Sequence, residues 1–183
     1  MLSRRALLAC AVLGIGSWGP SAEAGVARPV ALRELVKLSQ YAIVGTPVDA
    51  RSTWEEVDGG RRIVTYTKLR VESSLGAAAA PREVTVRTLG GRVGKIGQVV
   101  HGEATLPIGE TAVVFLSSRN GALRVAALAQ GHYPLRADTS GARRLRVSPQ
   151  LSQLVGGGPS AVRDLVGRSV QEATELVRRA ERQ

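Results

Sequence analysis

Aromatic side chains are scarce, with Phe, Trp and Tyr together making up 3% of the 183 residues. A core must therefore be assembled from Val, Leu, Ile and Ala. Tyr41, Trp54, Tyr66, Phe115 and Tyr133 are too few and too dispersed to suggest a base-stacking platform, so specific nucleic-acid binding is not expected. Cys10 is the single cysteine, which leaves no intrachain disulfide. The two histidines, His101 and His132, exclude both an H-E-x-x-H motif and a three-histidine zinc site. No G-x-S-x-G nucleophile elbow occurs. Gly94-Lys95 resembles the end of a phosphate loop, but Leu89 stands where the first glycine is required and Ile96 replaces the magnesium-binding Ser or Thr. The apolar run from Ala6 to Ile15 is too short to span a bilayer.

What is present begins with a leader. Ser3-Arg4-Arg5 supplies a positive start, the short apolar run follows, and Ala22-Glu23-Ala24 is an A-x-A cleavage site before Gly25. Residues 1–24 therefore read as a signal peptide, and the mature protein as periplasmic or secreted. An ordinary secretory leader and a twin-arginine export signal both fit Ser3-Arg4-Arg5-Ala6-Leu7-Leu8. Gly14 to Gly19 matches G-x-G-x-x-G, but follows no strand and lies in the segment to be removed. Cleavage also takes away Cys10, leaving no thiol nucleophile and no thiolate metal site. The formal net charge of +10 suits anionic surroundings such as an acidic polymer or anionic lipid heads, although scattered arginines more often form only a solvated surface.

After the leader, Leu32, Leu35 and Val36 share one face at helical spacing, which predicts a short helix within residues 31–40. Residues 41–48 and 61–71 read as strands, joined through Asp58-Gly59-Gly60, where glycine accepts the positive φ of a tight turn. In the second, Ile63, Leu69 and Val71 fall on one face, Lys68 and Arg70 on the other. Residues 83–88 continue the pattern. Asn120-Gly121 signals a turn into a strand over 122–129, and Gln130 to Pro134 breaks it. A last hairpin carries Tyr133 and Leu135 on one arm, Asp138-Thr139-Ser140-Gly141 at its turn, and Leu145 and Val147 on the other. Residues 149–159 read as a linker. Ser169-Val170-Gln171-Glu172 is a capping box, and Ala173, Leu176, Val177 and Ala180 form the stripe of a closing helix. That helix caps the barrel, docks on a partner or projects.

The stretch from Leu89 to Ser118 is the centre of the chain. It holds a glycine-rich loop (Gly90, Gly91, Gly94, Gly97), a strand near residues 98–101, a turn at Pro107-Ile108-Gly109-Glu110 read as type I, and the strand Ala112-Val113-Val114-Phe115-Leu116. Apolar residues on both faces of that strand require cover on both sides, as in a small barrel with a helix laid against it. About seven short strands at this spacing predict a mainly β protein. The expected form is a small OB-like antiparallel β-barrel of about 5–7 strands with a short N-terminal helix and a C-terminal helix. Residues 25–149 form the barrel domain, and 150–183 the linker and C-terminal amphipathic helix.

Ala42-Ile43-Val44-Gly45-Thr46-Pro47-Val48, Leu69-Arg70-Val71-Glu72, Glu83-Val84-Thr85-Val86 and Ile108 to Leu116 together resemble the netrin-like module, the OB-type barrel shared with tissue inhibitors of metalloproteinases. They also look like secreted bacterial domains with the same Gly-Gly loop and Gly-Glu lead into a strand. The resemblance spans about residues 41–135 and implies a five-stranded barrel. It does not extend to protease inhibition, for which that family uses a cysteine at the mature amino terminus; Gly25 stands there in this chain.

The expected function is that of an exported noncatalytic β-barrel binding or scaffold protein. OB-type barrels bind through one face and its loops, so Gly90, Gly91, Arg92, Lys95 and His101 form one candidate recognition edge, and Gln130, Gly131, His132 and Tyr133 a second. An envelope or secreted protein, or an anionic polymer, is the expected class of partner. No catalytic residue, metal ligand or cofactor is expected. The alternative is a secreted hydrolase with a polar site near His101, Glu103 and His132.

Overall fold

The computed structural model describes residues 26–151 and 153–183; the leader, its cleavage site and Cys10 lie outside the described residues. In chain order the strands are β1 (Val26–Ala27), β2 (Tyr41–Val57), β3 (Gly60–Ser74), β4 (Glu83–Leu89), β5 (Gly91–Val93), β6 (Ile96–Gln98), β7 (Ala112–Arg119), β8 (Ala122–Val125), β9 (His132–Ala137), β10 (Arg143–Leu145) and β11 (Gln153–Leu154). The helices are α1 (Leu32–Leu38), α2 (Ala161–Leu165) and α3 (Val170–Glu181), and a 3-10 turn covers Leu128–Gly131.

Seven strands form one sheet in the order β10-β9-β7-β2-β3-β4-β8, and β8 also pairs with β7, so β7, β2, β3, β4 and β8 close a five-stranded barrel. The fold is thus the expected OB-like barrel, with one difference. The β4–β8 closure is parallel, through Val86 and Leu123, because β2 lies antiparallel to both β3 and β7, and the next antiparallel steps give β4 and β8 the same direction.

Two-residue turns set the registers. Asp58 (φ 51°) and Gly59 (φ 76°) join Val57 to Gly60, while Asn120 (φ 53°) and Gly121 (φ 76°) join Arg119 to Ala122. Both pairs have the double positive φ of type I′ turns, whose twist matches the flanking strands. Tight closure at Asp58-Gly59 lets β2 and β3 run on past the ends expected of them: residues 49–56, read as connection, are strand. The proline turn also differs in type from the type I expected of it. Glu110 N donates to Pro107 O at 3.2 Å and Gly109 has φ 79° at the third position, which makes the turn type II.

All five barrel strands contribute to the interior: Ile43, Leu69, Val84, Val86, Ala112, Val114, Leu116 and Val125 pack together, with Ala104 and Leu106 from the 99–111 connection. The alternate residues Ala42, Val44, Val113 and Phe115 point outward into a second core with Leu32 and Leu35 of α1, Leu165 of α2, and Ala173, Val177 and Ala180 of α3. This accounts for the two apolar faces of β7: one fills the barrel, the other carries the helix layer. Helix α3 therefore docks on the barrel. Its Ser169 hydroxyl accepts from Glu172 N at 3.2 Å while Glu172 Oε2 accepts from Ser169 N at 2.8 Å, completing the capping box read from the sequence.

Several local expectations change. The strand expected over 122–129 ends at Val125, because Ala127 (φ 53°) and Leu128 (φ 57°) adopt left-handed conformations and turn the chain into the 3-10 segment. The glycine-rich loop is itself a ribbon, β5–β6, with Gly94 (φ 60°) at its turn, and the strand expected at 98–101 ends at Gln98. Within the linker, β11 pairs with β1, and α2 follows at Ala161.

Candidate functional site

Val86 makes the one ladder pair between β4 and β8, whereas β3 stays paired with β4 as far as Leu89 and β2 continues on the far side of β3. The inner face of β2, β3 and β4 is left open at the barrel mouth, and the 98–106 segment arches over it. Between them lies a cavity of about 480 Å³, lined by Ser52 of β2, Thr65 and Thr67 of β3, Thr88 of β4, and Glu103 and Thr105 of the arch, with Gly90, Gly91, Gln98 and Gln150 at its rim. Its size falls in the range of pockets for small organic ligands.

Register places the hydroxyls in rows. Ser52 pairs with Thr65 and Thr65 with Thr88, so one polar row crosses three strands; Ala50 and Thr67 lie in the next. Ser52 Oγ and Thr65 Oγ1 are 2.8 Å apart, and Thr65 Oγ1 donates to Gly90 O at 2.7 Å. Gln98 Oε1 accepts from Ile63 N at 2.7 Å, which ties the ribbon to β3. Gly91 has no alternative here: its φ is 127°, and a Cβ would stand 2.2 Å from Thr65 Oγ1 and 2.6 Å from Ser52 Oγ. At Gly90 (φ 91°) a Cβ would meet Gln98 O at 2.9 Å.

The remaining polar groups face the cavity less engaged. Thr67 is 2% exposed and Glu103 7% exposed, and among the described residues neither makes a hydrogen bond to another side chain. Burial raises the Glu103 carboxyl above the ordinary carboxylate range, against the opposing pull of the Leu89 amide and the more distant Arg124 and Arg87.

On the opposite face of the same strands, Glu55 accepts from Tyr66 Oη at 2.7 Å and from Arg87 Nη2 at 2.8 Å and Nε at 3.1 Å. The Tyr66 hydrogen bond, followed by Arg87, holds the Glu55 carboxyl below its ordinary range. Arg124 lies on this side too, its buried Nε without a partner among the described residues.

The residues expected from sequence divide accordingly. Gly90 and Gly91 line the cavity, whereas Arg92, Lys95 and His101 are exposed and outside it. Gln130, Gly131, His132 and Tyr133 are buried, a correction to their expected place on a recognition edge. Gln130 Nε2 donates to Arg28 O and its Oε1 accepts from Val30 N, both at 2.9 Å, so the side chain clamps the segment before α1. A Cβ on Gly131 would stand 2.1 Å from Ala126 O. His132 Nδ1 shares a hydrogen bond with Ser148 Oγ at 3.0 Å, and Tyr133 packs edge-on against Phe115 at 6.0 Å. These internal contacts engage the Gln130 and His132 side chains, while the buried Tyr133 hydroxyl has no hydrogen-bond partner among the described residues.

Of the three residues invoked for a hydrolase, only Glu103 lines the cavity. Among the described residues no three His, Cys, Asp or Glu side chains come together as a metal site. No helix of the described residues is long and apolar enough to cross a membrane. Sequence reasoning missed Ser52, Thr65, Thr67, Thr88 and Thr105. The available signal was parity, since Thr65 and Thr67 share the face of Ile63 and Leu69 and so put hydroxyls on the inner side. The chain matches no family model, no curated protein and no solved structure.

Proposed function

We propose that this is an exported, noncatalytic β-barrel binding protein whose ligand occupies the cavity between the inner face of β2–β4 and the 98–106 arch. The carrying observation is the cavity itself: hydroxyl and apolar side chains line it together, Gly90 and Gly91 pack closely at its edge, and its buried Thr67 and Glu103 make no hydrogen bond to another side chain among the described residues. Buried polar groups without partners are costly, and a ligand that supplies them gains accordingly. Export rests on the leader pattern of residues 1–24. The netrin-like resemblance bears only on the barrel in this reading.

A hydrolytic reading requires Glu103 to act with a nucleophile or a base. His101 and His132 lie outside the cavity, and the hydroxyls of Ser52 and Thr65 are committed to each other and to Gly90 O. Binding without turnover accounts for these contacts.

The test is a fragment screen by amide NMR on the labelled full chain. Saturable shifts centred on Gly90, Gly91, Thr67 and Val100 are expected from some small polar compounds. A screen that leaves those amides unmoved would refute the binding site. Intact-mass measurement on protein recovered from an export-competent bacterial host tests the compartment: loss of residues 1–24 is expected, and an uncleaved cytoplasmic chain would overturn it.

A further inference from the structure

The charge of the cavity runs against that of the chain. The formal net charge is +10, yet among the described residues no Arg, Lys or His lines the cavity, and the one ionisable group in the lining is Glu103. Six ion pairs occur among the described residues: Lys68–Glu83, Arg87–Glu55, Arg136–Glu110, Arg144–Asp138, Arg144–Glu172 and Arg168–Glu172. Glu103 is in none of them. A carboxylate more than nine-tenths buried and unpaired carries a large desolvation cost, which a cation arriving from solvent offsets directly.

The size and donor set of the site decide which kind of cation. Hard metal ions require several oxygen ligands at fixed short range, typically six or more for calcium, and among the described residues Glu103 is the only carboxylate in the lining. A cavity of about 480 Å³ is also far larger than a bare ion needs. An organic ammonium fits both features, because one N–H bonds the carboxylate and the rest of the molecule fills the volume. Thr67, Thr105, Gln98 and Gln150 surround it with groups that both donate and accept, suited to hydroxyl or further amine substituents. An anionic ligand would meet a buried carboxylate and, among the described residues, no cation in the lining.

We infer that the cavity binds a small organic ammonium compound bearing additional hydroxyl or amine groups, with Glu103 as its counter-ion and Thr67 among its hydrogen-bonding partners. This rests on the reading of the cavity as the ligand site. Because burial favours the protonated Glu103 in the empty site, ammonium binding expels that proton and tightens as pH rises through the carboxylate range. Arg87 from β4 and Arg124 from β8 are the charged groups that act on Glu103 from the neighbouring strands, and both favour its ionised form.

The experiment titrates the labelled full chain with D-glucosamine, putrescine, D-glucose and D-glucuronate while following the cavity amides. Glucosamine and putrescine are expected to saturate, with D-glucose and D-glucuronate much weaker. The isosteric Glu103→Gln variant should weaken amine binding by about ten-fold or more, the scale of a charge-assisted hydrogen bond. Thr67→Val serves as a second variant that leaves Glu103 in place, and should weaken both amines by a smaller factor. Glucose or glucuronate binding as tightly as the amines, or amine affinity unchanged in both variants, would overturn the ammonium assignment and leave the cavity as a site for another ligand. Failure of these probes together with every compound of the fragment screen would overturn both readings.

Discussion

His132 should make the fold acid-sensitive well above the pH at which carboxylates titrate. It is 3% exposed on β9, and burial lowers its imidazole from 6.5 to about 4, with Glu110 raising and Arg136 lowering it by lesser amounts. Above pH 6.5 the ring is neutral in both the folded and the unfolded chain, so it imposes no penalty. Between about 6.5 and 4 the unfolded chain takes up a proton that the folded chain refuses, and stability falls with pH across that window. The full difference corresponds to about 3 kcal/mol, of which about 2 kcal/mol is lost by pH 5. For a chain of this length that is a fall of about 4–8 °C in Tm. The assay is urea denaturation by circular dichroism at pH 7 and pH 5, on the parent and on His132→Gln, which retains a polar partner for Ser148. The variant is less stable overall, but its pH dependence in this window should be much flatter. Glu103 contributes the opposite sign, since a raised carboxyl pKa stabilises the fold at low pH and that contribution is lost as pH rises; the comparison between parent and variant cancels it. Parallel pH curves for the two proteins would refute the argument.

Three further outcomes are expected. Phe115→Ala should cost about 3–5 kcal/mol, because Phe115 is fully buried beneath the helices and edge-on to Tyr133; a loss under about 1 kcal/mol would mean that the helix layer does not rest on β7. Gly91→Ala should cost about 1–3 kcal/mol from its positive φ alone and break the Ser52–Thr65 hydrogen bond, read as shifts at both amides, whereas an unchanged denaturation midpoint would show that the ribbon packs differently. Ser169→Ala removes the hydroxyl half of the α3 capping box and should lower stability by about 0.5–2 kcal/mol, with Ser169→Asp restoring most of it.

The parts of the fold legible in the sequence are those whose causes are local. Asp58-Gly59 and Asn120-Gly121 carry their own turn geometry, and Ser169 and Glu172 cap a helix three residues apart. The apolar run at Ala112 to Leu116 announces a strand covered twice over, which is what the barrel interior and the helix layer supply. Residues 49–56 were not legible as strand because none of them is fully buried and the face that carries Ala50 and Ser52 opens onto the cavity, so no apolar alternation marks it. The burial of 130–133 was equally hidden, since Gln130 and His132 read as surface chemistry until Arg28, Val30 and Ser148 are brought to them from distant parts of the chain.

The candidate site divides in the same way. Gly90 and Gly91 stand out in the sequence because glycine is the residue for positive φ, but what they make room for does not. Ser52, Thr65, Thr88 and Glu103 become one site through the register of three strands, the single ladder pair of β4 with β8 and the arch of 98–106 above them. The sequence by itself determined the hairpin turns, the helix cap, the strand alternation and the absence of a three-histidine metal site, because each depends on residues close in the chain or on composition. Which polar residues are buried, which share a cavity and which carboxylate lacks a counter-ion were decided only by the tertiary structure, because burial and pairing depend on side chains brought together from far apart in the chain.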